Sequence, residues 1–426
     1  MLIDYLTNKI GLNKKLKKEI IWSFASKGSA MAFYFLINII IARIFSVEMF
    51  GIWSLLLAIL EIVFRFSYFG INLATQISLA RDNLQNHMNE IISVGLFWRI
   101  TISLIISFIF WLSASSIAAF LNKPELTYPL EISSILIFFM GMVEFLKSIF
   151  VGVQINRNRF YIELIEYGGK FSLVVICSLA FISMTAIIWS FIIATSIAVC
   201  LGLILLFRFQ KPLYRINIQR IKTFSHQILS YGFPLFIISI AILLLTELDT
   251  VMLGVLSSNE EVGYYGIAKQ IAIKLPHIAF TLNLGVMPIF ANINNQNRQE
   301  LQRLFRNLVK GNTIFYGILC LSLILFSPVL IPLVYGKSFT PSVLPMQLLC
   351  IYIFLISFNT FFNEVMDYQG KMKLRALYMS SSIILNIIFN YLLIPKYGAV
   401  GAACATSLSV IPFIIFNIYA TRKILY

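Results

Sequence analysis

The chain has 426 residues, of which 59% are hydrophobic and only 12% charged, and its mean hydropathy is +0.87. Soluble domains carry roughly 25% charged residues, so this composition excludes a water-facing globule and suits a bilayer, where lipid covers an apolar exterior. The net charge of +15 lies in clusters between apolar runs, which speaks for a membrane protein's positive-inside pattern and against nucleic-acid binding.

Lys14, Lys15, Lys17 and Lys18 precede an apolar run beginning near Ile20. That run is too long for a signal peptide and no small-x-small cleavage site follows, so a retained first helix is predicted. A span needs about 20 apolar residues. Spans are predicted near 20–44, 50–72, 91–119, 130–152, 162–183, 185–207, 229–256, 263–291, 311–334, 342–366, 374–394 and 398–420. The expected class is therefore all-α integral membrane, with about twelve transmembrane helices. Cys177, Cys200, Cys320, Cys350 and Cys404 lie inside these runs without a C-x-x-C pair. They are predicted to be small buried side chains, not disulfides or zinc ligands.

Charge tests the count. With both termini in the cytoplasm, the inside loops collect nearly all the interhelical Lys and Arg, including Arg157, Arg159, Arg298, Arg303, Lys371 and Lys373. The outside loops hold Lys123, Lys337 and Lys396. A bias of roughly seven to one is hard to obtain from a wrong topology.

The longest inside connection, 208–228, interleaves Lys211, Arg215, Arg220 and Lys222 with Leu213, Ile216, Ile218 and Ile221. It reads either as an amphipathic segment on the inner leaflet or as a solvated loop. It divides the chain into lobes 1–208 and 229–426 joined by a linker, 209–228. A repeat supports the halving. Ser46-Val-Glu48-Met-Phe-Gly51 and Ser258-Asn-Glu260-Glu-Val-Gly263 match at three positions, and the same spacing pairs Arg159 with Lys371 and Leu173 with Leu385. Six spans per half would give both halves one orientation and an axis along the membrane normal.

Three stretches resemble a known family. They are Ile41-Ala-Arg43-Ile-Phe-Ser-Val-Glu48-Met-Phe-Gly51-Ile-Trp53, then Ser230-Tyr-Gly-Phe-Pro234 with Thr246-Glu-Leu-Asp249 and Val262-Gly-Tyr-Tyr265, and Leu392-Leu-Ile-Pro395-Lys-Tyr-Gly398-Ala-Val-Gly401 running on to Thr406. The chain is similar to the polysaccharide biosynthesis (Wzx-type, O-antigen and capsule) flippases of the multidrug/oligosaccharidyl-lipid/polysaccharide exporter superfamily. The resemblance implies two six-helix lobes around a central cavity and alternating access. It also implies a bacterial cytoplasmic-membrane location and a substrate glycan carried on undecaprenyl pyrophosphate. A coupling cation, H+ or Na+, is a further implied partner, with polysaccharide polymerase machinery as an associate of a monomeric chain.

Charges within a bilayer usually face a cavity or a partner. Lys27, Arg65, Arg99 and Lys274 lie about 10–20 Å along their predicted helices at 1.5 Å per residue. They are the candidates for holding a pyrophosphate, with Glu61, one turn from Arg65, as a competing ion-pair partner. Glu247 and Asp249 are candidates for ion coupling, together with Glu61. Asp249 matches a position where the family often has an acid, and either residue could instead pair with Lys274. Arg43, Glu131, Lys147, Glu163, Lys269, Glu364 and Asp367 sit near span ends and are expected to reach water. Glu166 with Lys170, and Glu144 with Lys147, have helical pair spacing. Pro234 and Pro276 are candidate flexing points.

No Walker A sequence, G-x-S-x-G, H-E-x-x-H or dinucleotide fingerprint occurs, so neither an enzyme nor a cofactor is expected. Two alternatives are a cation-coupled drug antiporter of the same superfamily and a membrane polymerase or ligase. The latter would need a large outside loop, whereas the longest here, near 120–129, has about ten residues.

Overall fold

The computed structural model describes residues 14–80, 87–180, 183–209, 218–276 and 298–425, and among them every regular element is helical. In chain order these are α1 (Lys14–Ile44), α2 (Val47–Tyr68), α3 (Ile71–Ala80), α4 (Met88–Phe120), α5 (Thr127–Gly152), α6 (Asn156–Ala180) and α7 (Met184–Phe209). There follow α8 (Ile218–Leu256), α9 (Asn259–Lys274), α10 (Arg298–Tyr335), α11 (Val343–Tyr368), α12 (Met372–Ser409) and α13 (Ile411–Leu425). The predicted spans fall on helices over most of their described length, but the second crosses a turn at Phe69–Gly70 and the twelfth a break at Val410; residues 181–182 of the fifth and 277–291 of the eighth lie outside the described residues.

Among the described residues nine segments are long and apolar enough to cross a membrane, and one, Lys373–Leu425, has 53 residues, enough for two crossings. Their outer faces are apolar. On α10, Ile314, Ile318, Leu321, Leu325 and Val329 are all more than half exposed and recur every three or four residues. Such a stripe suits lipid and would drive aggregation in water. The protein is a multi-pass membrane protein. The predicted fifth span, α6, is not among the nine segments. It carries Arg157, Arg159, Glu163, Glu166 and Lys170.

The chain forms two compact units. Unit 1 comprises residues 1–44 and 60–240, and unit 2 residues 45–59 and 241–426. In unit 1, α1 packs on α6, α4 on α5, and α7 on both α5 and α6. Its core gathers Ile71, Ile91, Phe145, Leu146, Phe150, Ile162, Ala198 and Leu206. Of the expected linker, Phe209 ends α7, 210–217 lies outside the described residues, and 218–228 forms the first turns of α8. There Phe224 and Ile228 enter the unit 1 core while Lys222 and His226 are exposed. In unit 2, α11 packs on α9, α10, α12 and α13, with Phe305, Phe361, Phe362, Val365 and Leu425 in one cluster.

Local chemistry sets the helix boundaries. Ser46 and Ser258 precede α2 and α9, and each hydroxyl accepts a first-turn N–H, from Met49 at 3.2 Å and from Glu261 at 3.4 Å. These are N-caps. Between α2 and α3 the chain turns at Phe69 and Gly70, both with positive φ. The predicted break between the last two spans proves to be a kink within α12. Pro395 removes a backbone donor, and Gly398 takes φ 52°, ψ −128°. Glu261 then accepts the N–H of Ala399 at 2.6 Å, capping the second half of α12. A second break, at Val410, separates α12 from α13.

Candidate functional site

Arg99 is the most deeply placed of the predicted cations. Its residue is 0% exposed. One guanidinium nitrogen donates to the Ser67 carbonyl at 2.7 Å, the other to the Ser67 hydroxyl at 3.1 Å. The carbonyl belongs to the last turn of α2, where helix ends leave acceptors unsatisfied. The Phe64 ring lies 5.9 Å from the guanidinium carbon, within cation–π range. Room for the charged head comes from Gly141 on α5, where a Cβ would stand 2.0 Å from Arg99 Nη2. A small residue on the neighbouring helix thus creates the socket.

Arg65 is half-buried on α2, and no ion pair joins it to Glu61 among the described residues. Tyr68 lies within electrostatic reach of Arg65, Arg99 and Glu144, so these groups share one neighbourhood of unit 1. Lys27, exposed on α1, belongs to a second group with Arg159 and Glu163. Arg159 pairs with Glu163 at 2.9 Å, and Glu163 also accepts the Ser26 hydroxyl. Lys274 lies in unit 2, at the last position of α9.

Several charges expected to reach water are instead enclosed. Lys147 and Glu163 are 4% and 5% exposed. Lys147 pairs with Glu144 and, at 3.1 Å, with Glu166; Glu166 also accepts from Lys170 at 2.7 Å. The two helical pairs are present as predicted. The link between α5 and α6 that joins them into one chain is not a feature of sequence spacing. Lys170 is further covered by the Tyr167 and Phe191 rings at 5.0 and 5.4 Å.

In unit 2 the acids Glu247 and Asp249 meet Lys269 within ion-pair distance. The Lys269 ammonium donates to Glu247 at 2.9 Å, to Asp249 Oδ1 at 3.2 Å and to the Thr250 hydroxyl. Asp249 Oδ2 accepts the hydroxyls of Tyr265 and, at 3.1 Å, Thr406. Lys269 is only 7% exposed, so it does not reach water as expected for a residue near a span end. The signal was present in the sequence: Lys269 and Tyr265 lie one helical turn apart, on the same face of α9. Of the two candidate hinge prolines, Pro276 lies just beyond α9 and Pro234 falls within α8.

Residues 16–294 match the family described as "Polysaccharide biosynthesis protein", and residues 234–392 match the family "MatE". An uncharacterized membrane protein of Methanocaldococcus jannaschii is 24% identical over 94% of this chain and 95% of its own length. A probable low-salt glycan biosynthesis flippase of Haloferax volcanii, Agl15, is 24% identical over 38% of this chain and 34% of its own. Among solved structures, the inward-closed lipid II flippase MurJ superposes with a TM-score of 0.78 at 15% identity, covering 95% of this chain and 87% of that one. An inward-facing multidrug resistance MATE transporter gives 0.77 at 12%, covering 92% and 95%. These likenesses establish the fold. The family match extends over more than half of the chain, from α1 into the segment after α9. The chain belongs to the polysaccharide biosynthesis protein family, within the multidrug/oligosaccharidyl-lipid/polysaccharide exporter superfamily of transporters and flippases.

Proposed function

We propose that this chain is a flippase for a lipid-linked oligosaccharide, carrying the glycan head group from the cytoplasmic to the outer leaflet by alternating access. The observation that carries this reading is Arg99: a guanidinium enclosed at mid-helix, bonded only to neutral oxygens, with no carboxylate in salt-bridge range among the described residues. A guanidinium so enclosed, with Glu144 acting on it only from beyond salt-bridge range, favours an anionic partner. A polyprenyl pyrophosphate such as the undecaprenyl carrier fits that need. Its tail can stay in lipid while aromatic faces and hydroxyls take the sugars. Lys27, Arg65 and Lys274 complete the proposed binding set.

The family membership and the glycan-flippase name of the Haloferax relative support the substrate class. In this reading the protein lies in the cytoplasmic membrane with both termini inside, and lobes 1–208 and 229–426 exchange access. The MatE match over 234–392 supports a second reading, cation-coupled drug export.

Complementation of a strain lacking the gene tests both. Arg99→Ala and Lys27→Ala should abolish surface glycan while the protein accumulates normally, and lipid-linked intermediate should build up. Full export by the variant with all four cations replaced by alanine would overturn the assignment. Loss of drug resistance with intact glycan would favour the second reading.

A further inference from the structure

The family resemblance calls for a coupling cation, and Glu247 and Asp249 are where the sequence would place it. The groups around them do not fit a metal ion. A lysine ammonium has three N–H donors and no acceptor. At Lys269 those donors meet Glu247, Asp249 Oδ1 and the Thr250 hydroxyl. The other Asp249 oxygen is taken by the Tyr265 and Thr406 hydroxyls. Asp249 Oδ1 additionally accepts the Thr250 backbone N–H at 2.7 Å. Both carboxylate oxygens of Asp249, itself 1% exposed, therefore face hydrogen-bond donors.

The cavity left beside them measures about 10 Å³ and is lined by Asp249, Tyr265, Lys269, Tyr352 and Thr406 among others. That is room for one water-sized occupant. A metal ion placed there would adjoin an ammonium in a medium of low dielectric, where like charges repel most strongly.

We infer that Lys269 is the resident cation of this acidic cluster, supplied by the chain itself in place of a metal ion. The ammonium is tethered to α9 while its acceptors belong to α8, so it ties these helices together within unit 2. Tyr265 and Thr406 extend the tie through Asp249 to α12. Removing the ammonium while keeping the oxygens would convert the cluster into a site for a monovalent cation.

The test is cation-dependent thermal stability of the purified full-length chain in detergent. NaCl, LiCl and KCl would be compared with choline chloride at constant ionic strength. This readout is independent of any glycan, so its failure and that of the flippase assignment are separable. Wild type should melt at the same temperature in all four salts. Lys269→Met should melt lower in choline and regain several degrees with sodium or lithium, a gain that Asp249→Asn in the same chain removes. Lys269→Arg, which keeps the charge, should stay indifferent.

A sodium-dependent rise in the wild type that Asp249→Asn or Thr406→Val abolishes would overturn the inference. So would a folded Lys269→Met that ignores every cation. The wild-type arm needs no Lys269 variant, so it decides the matter even if Lys269→Met fails to fold.

Discussion

Gly51 and Gly263, equivalent positions of the repeated motif, lie against the first turns of each other's helices. A Cβ on Gly51 would stand 1.7 Å from the Asn259 carbonyl oxygen, and one on Gly263 would stand 2.5 Å from that of Val47. Asn259 and Val47 are themselves equivalent in the repeat. The contact is thus reciprocal, as a local twofold relation between the two motifs requires. The duplication inferred from spacing has a physical role here: both copies need a glycine because each backbone occupies the other's side-chain space.

Gly51→Ala and Gly263→Ala should each destabilise the protein by about 1–3 kcal/mol or more, as overpacking against a backbone that cannot yield does. Gly28→Ala and Gly311→Ala, with open space at the added methyl, should be neutral or slightly stabilising, since alanine is the better helix former. Melting temperature and monodispersity in detergent would check both pairs. Normal melting of Gly51→Ala would contradict the close approach.

Gly141→Ala should mimic loss of Arg99. The added methyl would meet the guanidinium at 2.0 Å and push it from Ser67. Glycan export should fall by at least tenfold in Gly141→Ala. Arg99→Lys should retain part of the activity, keeping the charge and losing the paired geometry. Export assays with quantified protein levels distinguish a lost site from a lost fold.

Glu166→Gln should destabilise unit 1 severely. Glu166 is the one carboxylate paired with Lys170 among the described residues, and breaking a buried pair by removing one partner costs about 3–5 kcal/mol. Replacing Lys147, Glu166 and Lys170 together by apolar residues of similar volume should be milder than Glu166→Gln alone. Thermal unfolding of the two variants would reveal the order.

Glu261→Ala should cost about 1 kcal/mol through loss of the Ala399 cap and loosen the kink at Gly398. Hydrogen exchange should accelerate at Ala399 and its neighbours and remain unchanged in α4. Unaltered exchange throughout α12 would show that the carboxylate does not hold the kink.

Reporter fusions after Gln219 and Asn259 should give opposite results, cytoplasmic at the first and external at the second, from the placement of basic residues. External activity at Gln219 would invert the topology on which the proposed direction of transport rests.

The sequence by itself determined that this is a helical membrane protein and where its helices run. Apolar runs of spanning length and basic loops are properties of the chain alone, read directly by a bilayer. It also marked the break at Pro395 and Gly398, between two predicted spans, because kinking acts over a few residues, whereas the turn at Phe69 and Gly70 falls inside a predicted span and was visible only in the structure. Tertiary structure decided which charges meet. Lys269 and Lys147 look alike to a hydropathy scale as lysines near span ends. Each is buried only because a neighbouring helix brings a carboxylate to it, Asp249 in one case and Glu166 in the other. Arg99 likewise depends on the absence of a side chain at Gly141, a vacancy that the spacing of residues along one helix cannot report. Burial and pairing of charge depend on distances between helices, and the low dielectric that makes those distances decisive exists only once the helices have packed.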